Sequence, residues 1–165
     1  MYTPSGTAVK TAPKATLEES FMDIVNFIDA HYKTIRKREG RAVCGLSMGG
    51  GHTFGISRMY PTIFDYYGLF SAAVRVGKEY SRESFYKDAI ASTRFAGEMD
   101  KLFASSPKLY WIAIGNEDFL YKNNTELRRY LDEKGYKYEY FENDGGHLWR
   151  NWRIYLTMFA QRLFK

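Results

Sequence analysis

The sequence predicts an α/β fold: a mostly parallel sheet of about four strands, with helices on both faces. Three observations predict it. Apolar segments of strand character alternate with segments of helical period along most of the chain. A Gly-x-Ser-x-Gly turn, Gly45-Leu46-Ser47-Met48-Gly49, joins a strand to the helix after it. Carboxylates and a histidine stand just beyond later strands, where the sites of open parallel sheets gather.

Each element has a local reason. Residues 1–15 read as a Thr/Ala/Pro/Lys-rich loop without the apolar centre of a signal peptide. Thr16-Leu17-Glu18-Glu19 has the form of a capping box. Leu17, Phe21, Ile24, Val25, Ile28 and Tyr32 then recur at helical spacing, which predicts an amphipathic helix to about Tyr32. Lys33 and Arg36 suit its C-terminal end. Arg41 to Leu46 reads as a short buried strand, in which Cys44 is expected to be a small hydrophobe pointing into the sheet. A Gly-rich helix follows from Gly49 to Tyr60, terminated by Pro61. The next strand lies within 65–73, centred on Tyr66 to Phe70.

Residues 74–106 carry no strand signal and are expected to hold short helices, near 84–91 and 97–103. Leu109 to Ile114 is a strongly apolar strand between Pro107 and Gly115. Asn123 is expected to cap a helix running through Tyr130 and Leu131, with Gly135 as a left-handed stop. Residues 136–141 alternate enough for a last strand. Beyond Gly145-Gly146, Trp149, Trp152, Leu156, Phe159 and Leu163 form the apolar stripe of a final helix. No repeat or linker divides the 165 residues, so a single domain is expected.

Composition excludes several functions. The net charge of +5 comes from 24 basic and 19 acidic residues, and the basic ones form no stripe. Arg36-Lys37-Arg38 reads as a solvated turn, so a nucleic-acid partner is not expected. No apolar run is long enough to span a membrane, and no membrane partner is expected. The single cysteine permits no internal disulfide. No metal site or cofactor is expected. Aromatic residues make up 18%, which suits either an aromatic core or a surface that handles sugars or phenolic rings.

Gly-x-Ser-x-Gly is the pattern of a nucleophile elbow, with Ser47 at a strained apex and glycines where a Cβ on either side is expected to clash. A serine nucleophile needs a base to take its proton and an acid to hold that base. His31 precedes the serine in the first helix, and His52 lies along the helix after it. His147 follows the last strand on a Gly-Gly loop, where a base is needed, so it is the favoured base; its other reading is a helix cap. Asp118 and Glu117 directly follow the strongest strand, and Asp144 sits close to His147. Asp118 is the favoured acid; Asp144 is expected to cap its local turn. The backbone N–H of Met48, first in the helix after the serine, is positioned to receive an oxyanion. Trp149, beside the base, is either the first core residue of the helix stripe or a ring that stacks on substrate.

Two stretches, Arg41-Ala42-Val43-Cys44-Gly45-Leu46-Ser47-Met48-Gly49-Gly50-Gly51 and Phe64-Asp65-Tyr66-Tyr67-Gly68-Leu69-Phe70-Ser71, resemble the esterase group of the α/β-hydrolases. That group includes the feruloyl and acetylxylan esterases of carbohydrate esterase family one. Gly115-Asn116-Glu117-Asp118 resembles the segment carrying the group's acid, and Gly145-Gly146-His147 the segment carrying its histidine. The resemblance runs from about Leu17 to the C-terminus and is strongest for feruloyl esterases. It implies an α/β-hydrolase fold and a serine carboxylesterase acting through an acyl-enzyme on feruloyl or acetyl esters of plant cell-wall polysaccharide. It also implies a secreted or periplasmic location. Acyl transfer to a sugar hydroxyl is the same chemistry with another acceptor.

Members of this group have about four strands before the elbow, whereas here 46 residues precede Ser47 and hold a loop and one helix. The expectation is therefore the C-terminal portion of the fold, lacking the loop that supplies the second oxyanion N–H. A weakly active or non-catalytic chain follows as the alternative. The elbow strand becomes a sheet edge open to self-association.

Overall fold

The computed structural model describes residues 16–74 and 93–165. The expected loop at 1–15 and the expected helix at 84–91 lie outside these residues. Among the described residues, five helices and four strands are arranged as α1 (Phe21–His31), β1 (Ala42–Leu46), α2 (Met48–Met59), β2 (Tyr66–Phe70), α3 (Thr93–Ala104), β3 (Leu109–Gly115), α4 (Tyr121–Glu133), β4 (Glu139–Asn143) and α5 (Trp149–Ala160). A short 3-10 turn, Arg38–Gly40, leads into β1. The strands form one parallel sheet in the order β1-β2-β3-β4. Parallel pairing puts the C-terminal ends of all four strands along one edge. Ser47, Ser71, Asn116 and Asp144 are therefore the residues that leave the sheet on the same side.

The central strands are apolar at nearly every position because both faces are covered. All five residues of β2 and all seven of β3 are buried. On one face Tyr67, Leu69, Tyr110 and Ile112 pack with Phe54, Met99, Leu102 and Leu127 from α2, α3 and α4. On the other, Tyr66, Phe70, Trp111 and Ala113 pack with Tyr155 and Phe159 of α5. Phe70, Trp111 and Phe159 meet as tilted and edge-to-face rings with centroids 5.5–6.0 Å apart. Much of the aromatic composition is thus spent on the core.

Several expectations need correction. Cys44 is exposed. It shares a side of β1 with Ala42 and Leu46, facing α5, but α5 lies across β2 and β3 and leaves the middle of β1 uncovered. Helix α1 has no buried residue; Phe21 and Val25 reach the core, while Ile24, Phe27, Ile28 and Tyr32 are exposed. The capping box does form: Thr16 N–H donates to Glu19 Oε2 at 2.7 Å and Glu19 N–H to Thr16 Oγ1 at 3.2 Å. It closes a turn over 16–20, one step before the α-helix proper.

Asn123 is inside α4 rather than at its cap, and its side chain donates to the Val74 carbonyl at 3.2 Å. The other end of α4 matches expectation. Gly135 has φ +68°, and Tyr136 N–H and Gly135 N–H donate back to Leu131 and Asp132, the double closure of a Schellman stop. Strand β4 begins at Glu139, later than expected, because Tyr136 stacks on Phe103 and Tyr138 donates to Asp132 before the chain joins the sheet. The expected helix at 97–103 is the later part of the longer α3. In α5 the buried face is Asn151, Tyr155 and Phe159, whereas Trp149 and Leu156 are exposed. The stripe turns because Tyr155 fills the space between Phe70, Trp111 and Phe141 and donates its hydroxyl to Asn143.

Candidate active site

Ser47 sits between β1 and α2 with φ 53° and ψ −117°, a strained conformation for a residue with a side chain. Neighbouring backbone holds it there. Its N–H donates to the Phe70 carbonyl at 2.9 Å, and its carbonyl accepts from Gly51 N–H at 3.1 Å and Ala73 N–H at 2.8 Å. The glycines around it are not equivalent. A Cβ on Gly45 would lie 2.2 Å from the Gly49 carbonyl oxygen, and one on Gly50 would lie 2.6 Å from the Ala72 Cβ. A Cβ on Gly49 would meet no described atom within 4 Å beyond its own helix. The expected clash on both sides of the serine is therefore real at Gly45 and absent at Gly49. Gly50 and Gly51 are the residues that let α2 lie close to the segment after β2.

The loops after β3 and β4 deliver the other two groups. Asp118 closes the turn after β3, and its side chain is fully buried. One carboxylate oxygen, Oδ1, accepts from Leu120 N–H at 2.9 Å. The other, Oδ2, accepts from His147 Nδ1 at 2.9 Å. A carboxylate can only accept, so Nδ1 carries the proton and Nε2 is left as an acceptor. Ser47 Oγ lies 2.9 Å from that nitrogen and donates to it. The three residues, far apart in sequence, form one continuous hydrogen-bonded chain from serine to buried carboxylate.

Backbone contacts set the loop carrying His147 against the loop carrying Asp118. Glu117 N–H donates to the Gly145 carbonyl at 3.1 Å, and a Cβ on Gly115 would lie 2.0 Å from that same oxygen. Gly145 has φ +95°, a conformation that favours glycine. Asn116 Oδ1 accepts from Gly145 N–H, while its amide donates to Asp144 Oδ1. Buried Asn151 donates to the carbonyls of Asp144 and Gly146 and accepts from Asn143 Nδ2 at 3.0 Å. Asn116 and Asn151 were not singled out from the sequence. The signal available was a polar residue at a buried position of α5, four residues beyond the histidine.

The remaining candidates lie elsewhere. His52 Nδ1 pairs with Glu18 Oε1 at 2.6 Å, and His31 Nδ1 bonds the Phe27 carbonyl at 2.8 Å. Burial pushes the Glu18 carboxyl up, but the hydrogen bonds from His52 and from its own backbone and the His52 charge outweigh it, leaving its pKa below the usual carboxylate value. Glu117 is exposed, and Asp144 is held by Asn116. Met48 begins α2, so its N–H is a first-turn donor without a partner inside the helix, beside Ser47, and its side chain is exposed. Phe119, Leu148 and Trp149 are also exposed around the histidine. Phe119 lies against the His147 ring at 4.6 Å between centroids, and Trp152 meets it edge-on at 4.8 Å. The apolar cleft of about 370 Å³ lined by Ile35, Tyr66, Lys108 and Phe164 is at the opposite, N-terminal end of the strands.

A parallel sheet with a strained serine at one strand end, and an acid and a histidine at two others, defines an α/β-hydrolase fold. The chain belongs to the "Putative esterase" family, whose profile matches residues 17–163. It is similar to an acetyl esterase of Caldicellulosiruptor saccharolyticus, 28% identical over 156 residues that cover 82% of this chain and 58% of the relative. Among solved structures, a ferulic acid esterase of the anaerobic fungus Anaeromyces mucronatus in complex with ferulic acid superposes with a TM-score of 0.71. It is 22% identical, with 96% of this chain and 60% of that one covered. A fluorophosphonate-binding serine hydrolase of Staphylococcus aureus gives a TM-score of 0.69 at 19% identity, covering 86% of this chain and 61% of that one. These structures share the fold, and the chain spans about 60% of their length.

Proposed function

We propose that this chain carries the catalytic residues of a serine carboxylesterase. The observation that supports it is the hydrogen-bonded series Ser47 Oγ, His147 Nε2, His147 Nδ1, Asp118 Oδ2, with both contacts at 2.9 Å. Ser47 attacks the ester carbonyl as Nε2 takes its proton. Buried Asp118 keeps the proton on Nδ1 and stabilises the imidazolium that forms. The Met48 N–H, at the positive end of α2, donates to the oxyanion. The oxyanion then re-forms the carbonyl and breaks the ester C–O bond as the imidazolium protonates the leaving oxygen, so that the alcohol departs and the acyl-enzyme remains. Water, deprotonated by His147, attacks the acyl-enzyme and releases the acid.

The substrate class is feruloyl or acetyl esters of plant cell-wall polysaccharide. Family membership and the exposed side chains of Met48, beside the serine, and of Phe119, Leu148 and Trp149, around the histidine, support it. Trp149 is the ring proposed to stack on a phenolic acyl group. Replacement of water by a sugar hydroxyl would make the same residues an acyltransferase, and product analysis with added sugar separates the two. Loss of one oxyanion donor costs ~10²–10³ in turnover, so a chain in which Met48 were the sole donor would be slow. The test is hydrolysis of methyl ferulate and p-nitrophenyl acetate, with fluorophosphonate labelling, by the wild type and Ser47→Ala. Turnover and labelling abolished only by the substitution support the reading; equal behaviour of the two proteins overturns it.

A further inference from the structure

We propose that Ser71 and Trp152 are positioning residues that hold the His147 imidazole in line with Ser47. This rests on the reading of His147 as the base. The hydrogen bonds to Asp118 and Ser47 fix the imidazole at its two nitrogens only. A ring held at two points can still tilt about the line joining its partners, and lateral contacts decide that tilt. Two rings supply them. Phe119 is 73% exposed and makes a compliant outer wall. Trp152 is half-buried and meets the imidazole edge-on, with an interplanar angle of 84°.

The inner wall is anchored. Trp152 Nε1–H donates to Ser71 Oγ at 3.1 Å, and Ser71 is fully buried just beyond the end of β2. Ser71 has φ +43°, a left-handed conformation that a non-glycine residue adopts only where its surroundings hold it. Its N–H is fixed by the Ala113 carbonyl at 2.7 Å. The flanking residues grip the nucleophile: the Phe70 carbonyl accepts from Ser47 N–H, and Ala73 N–H donates to the Ser47 carbonyl. Residues 70–73 therefore fix the backbone of the serine and, through one indole, the tilt of the histidine. The device ties both partners of the proton transfer to the same four residues, and nothing in it requires substrate.

The experiment compares the wild type with Ser71→Ala, Trp152→Phe and the double variant. The ring ¹⁵N resonances of His147 are read by NMR, and kcat and KM are measured on p-nitrophenyl acetate. Either single substitution is expected to shift the Nε2 resonance and lower kcat by roughly ten- to a hundredfold at unchanged KM, as for a sub-ångström misplacement. The double variant is expected to be no worse than the poorer single one, because both break the same link. Unshifted ring resonances in both single variants, or losses that multiply in the double, overturn the proposal. Ser71→Gly, which tolerates the positive φ, replaces Ser71→Ala if the latter does not fold. Should the wild type neither turn over ester nor label with fluorophosphonate, the esterase reading fails. The resonances still decide whether the pair sets the ring.

Discussion

Alanine at Gly45 and alanine at Gly49 should have opposite effects on stability, although both glycines belong to the same Gly-x-Ser-x-Gly pattern. At Gly45 the new Cβ lies 2.2 Å from the Gly49 oxygen, 2.3 Å from its carbonyl carbon and 2.8 Å from Gly50 N. All three are backbone atoms of the first turn of α2, so no side chain can swing aside. Ordinary contact begins near 3.4 Å, so the turn must retreat by about 1 Å. Overpacking of this kind costs about 1–3 kcal/mol, and here the retreat also breaks bonds that fix Ser47, so about 3 kcal/mol or more is expected. At Gly49 the Cβ meets no described atom within 4 Å beyond its own helix, and alanine gains up to about 0.8–1 kcal/mol of helix propensity. At ~2–4 °C per kcal/mol for a chain of this size, Gly45→Ala should lower Tm by ~6–12 °C and Gly49→Ala raise it by ~2–4 °C. Thermal unfolding followed by circular dichroism measures both. Equal destabilisation by the two substitutions would refute the argument that close approach of β1 to α2, rather than the turn itself, selects glycine.

Three further predictions concern the site and its supports. Asp118→Asn keeps the shape of the buried group but favours the wrong imidazole tautomer, so kcat on p-nitrophenyl acetate should fall by ~10⁴ while urea unfolding changes little; a fall of less than tenfold would remove Asp118 from the mechanism. Asn151→Ala leaves the carbonyls of Asp144 and Gly146 and the amide of Asn143 without their partner, so a loss of about 2–4 kcal/mol in chemical denaturation is expected, together with slower fluorophosphonate labelling; unchanged labelling would show that the loop holds His147 without it. Because the folded Glu18 carboxyl is depressed, its contribution to stability is present above the ordinary glutamate value near ~4.3 and is lost as pH falls through the lower folded value. The stability gap between wild type and Glu18→Gln should therefore be full at pH 6–7 and shrink towards pH 3, and a gap constant across urea titrations from pH 7 to pH 3 would contradict the Glu18–His52 pairing.

Much of this arrangement could be read along the chain because it depends on local rules. Period and turn chemistry located β1, β2, β3 and α2, and Gly135 marked the end of α4 through its left-handed backbone. The order serine, aspartate, histidine, each just beyond a strand, pointed to Ser47, Asp118 and His147, because parallel strands deliver their C-terminal ends to one edge of the sheet. Where packing decides, the sequence was silent or misleading. Cys44 has the composition of a buried residue, but its exposure depends on where α5 crosses the sheet. Trp149 and Tyr155 are both plausible core rings on α5, and only the cavity between Phe70, Trp111 and Phe141 selects Tyr155. The roles of Asn116, Asn151, Ser71 and Trp152 come from contacts that span up to 81 residues, to which no periodicity or spacing corresponds. The sequence by itself determined which groups stand at the strand ends, since the backbone's period and turns are encoded locally. The tertiary structure decided how those groups are held, since that depends on which surfaces the sheet and helices bring within van der Waals reach.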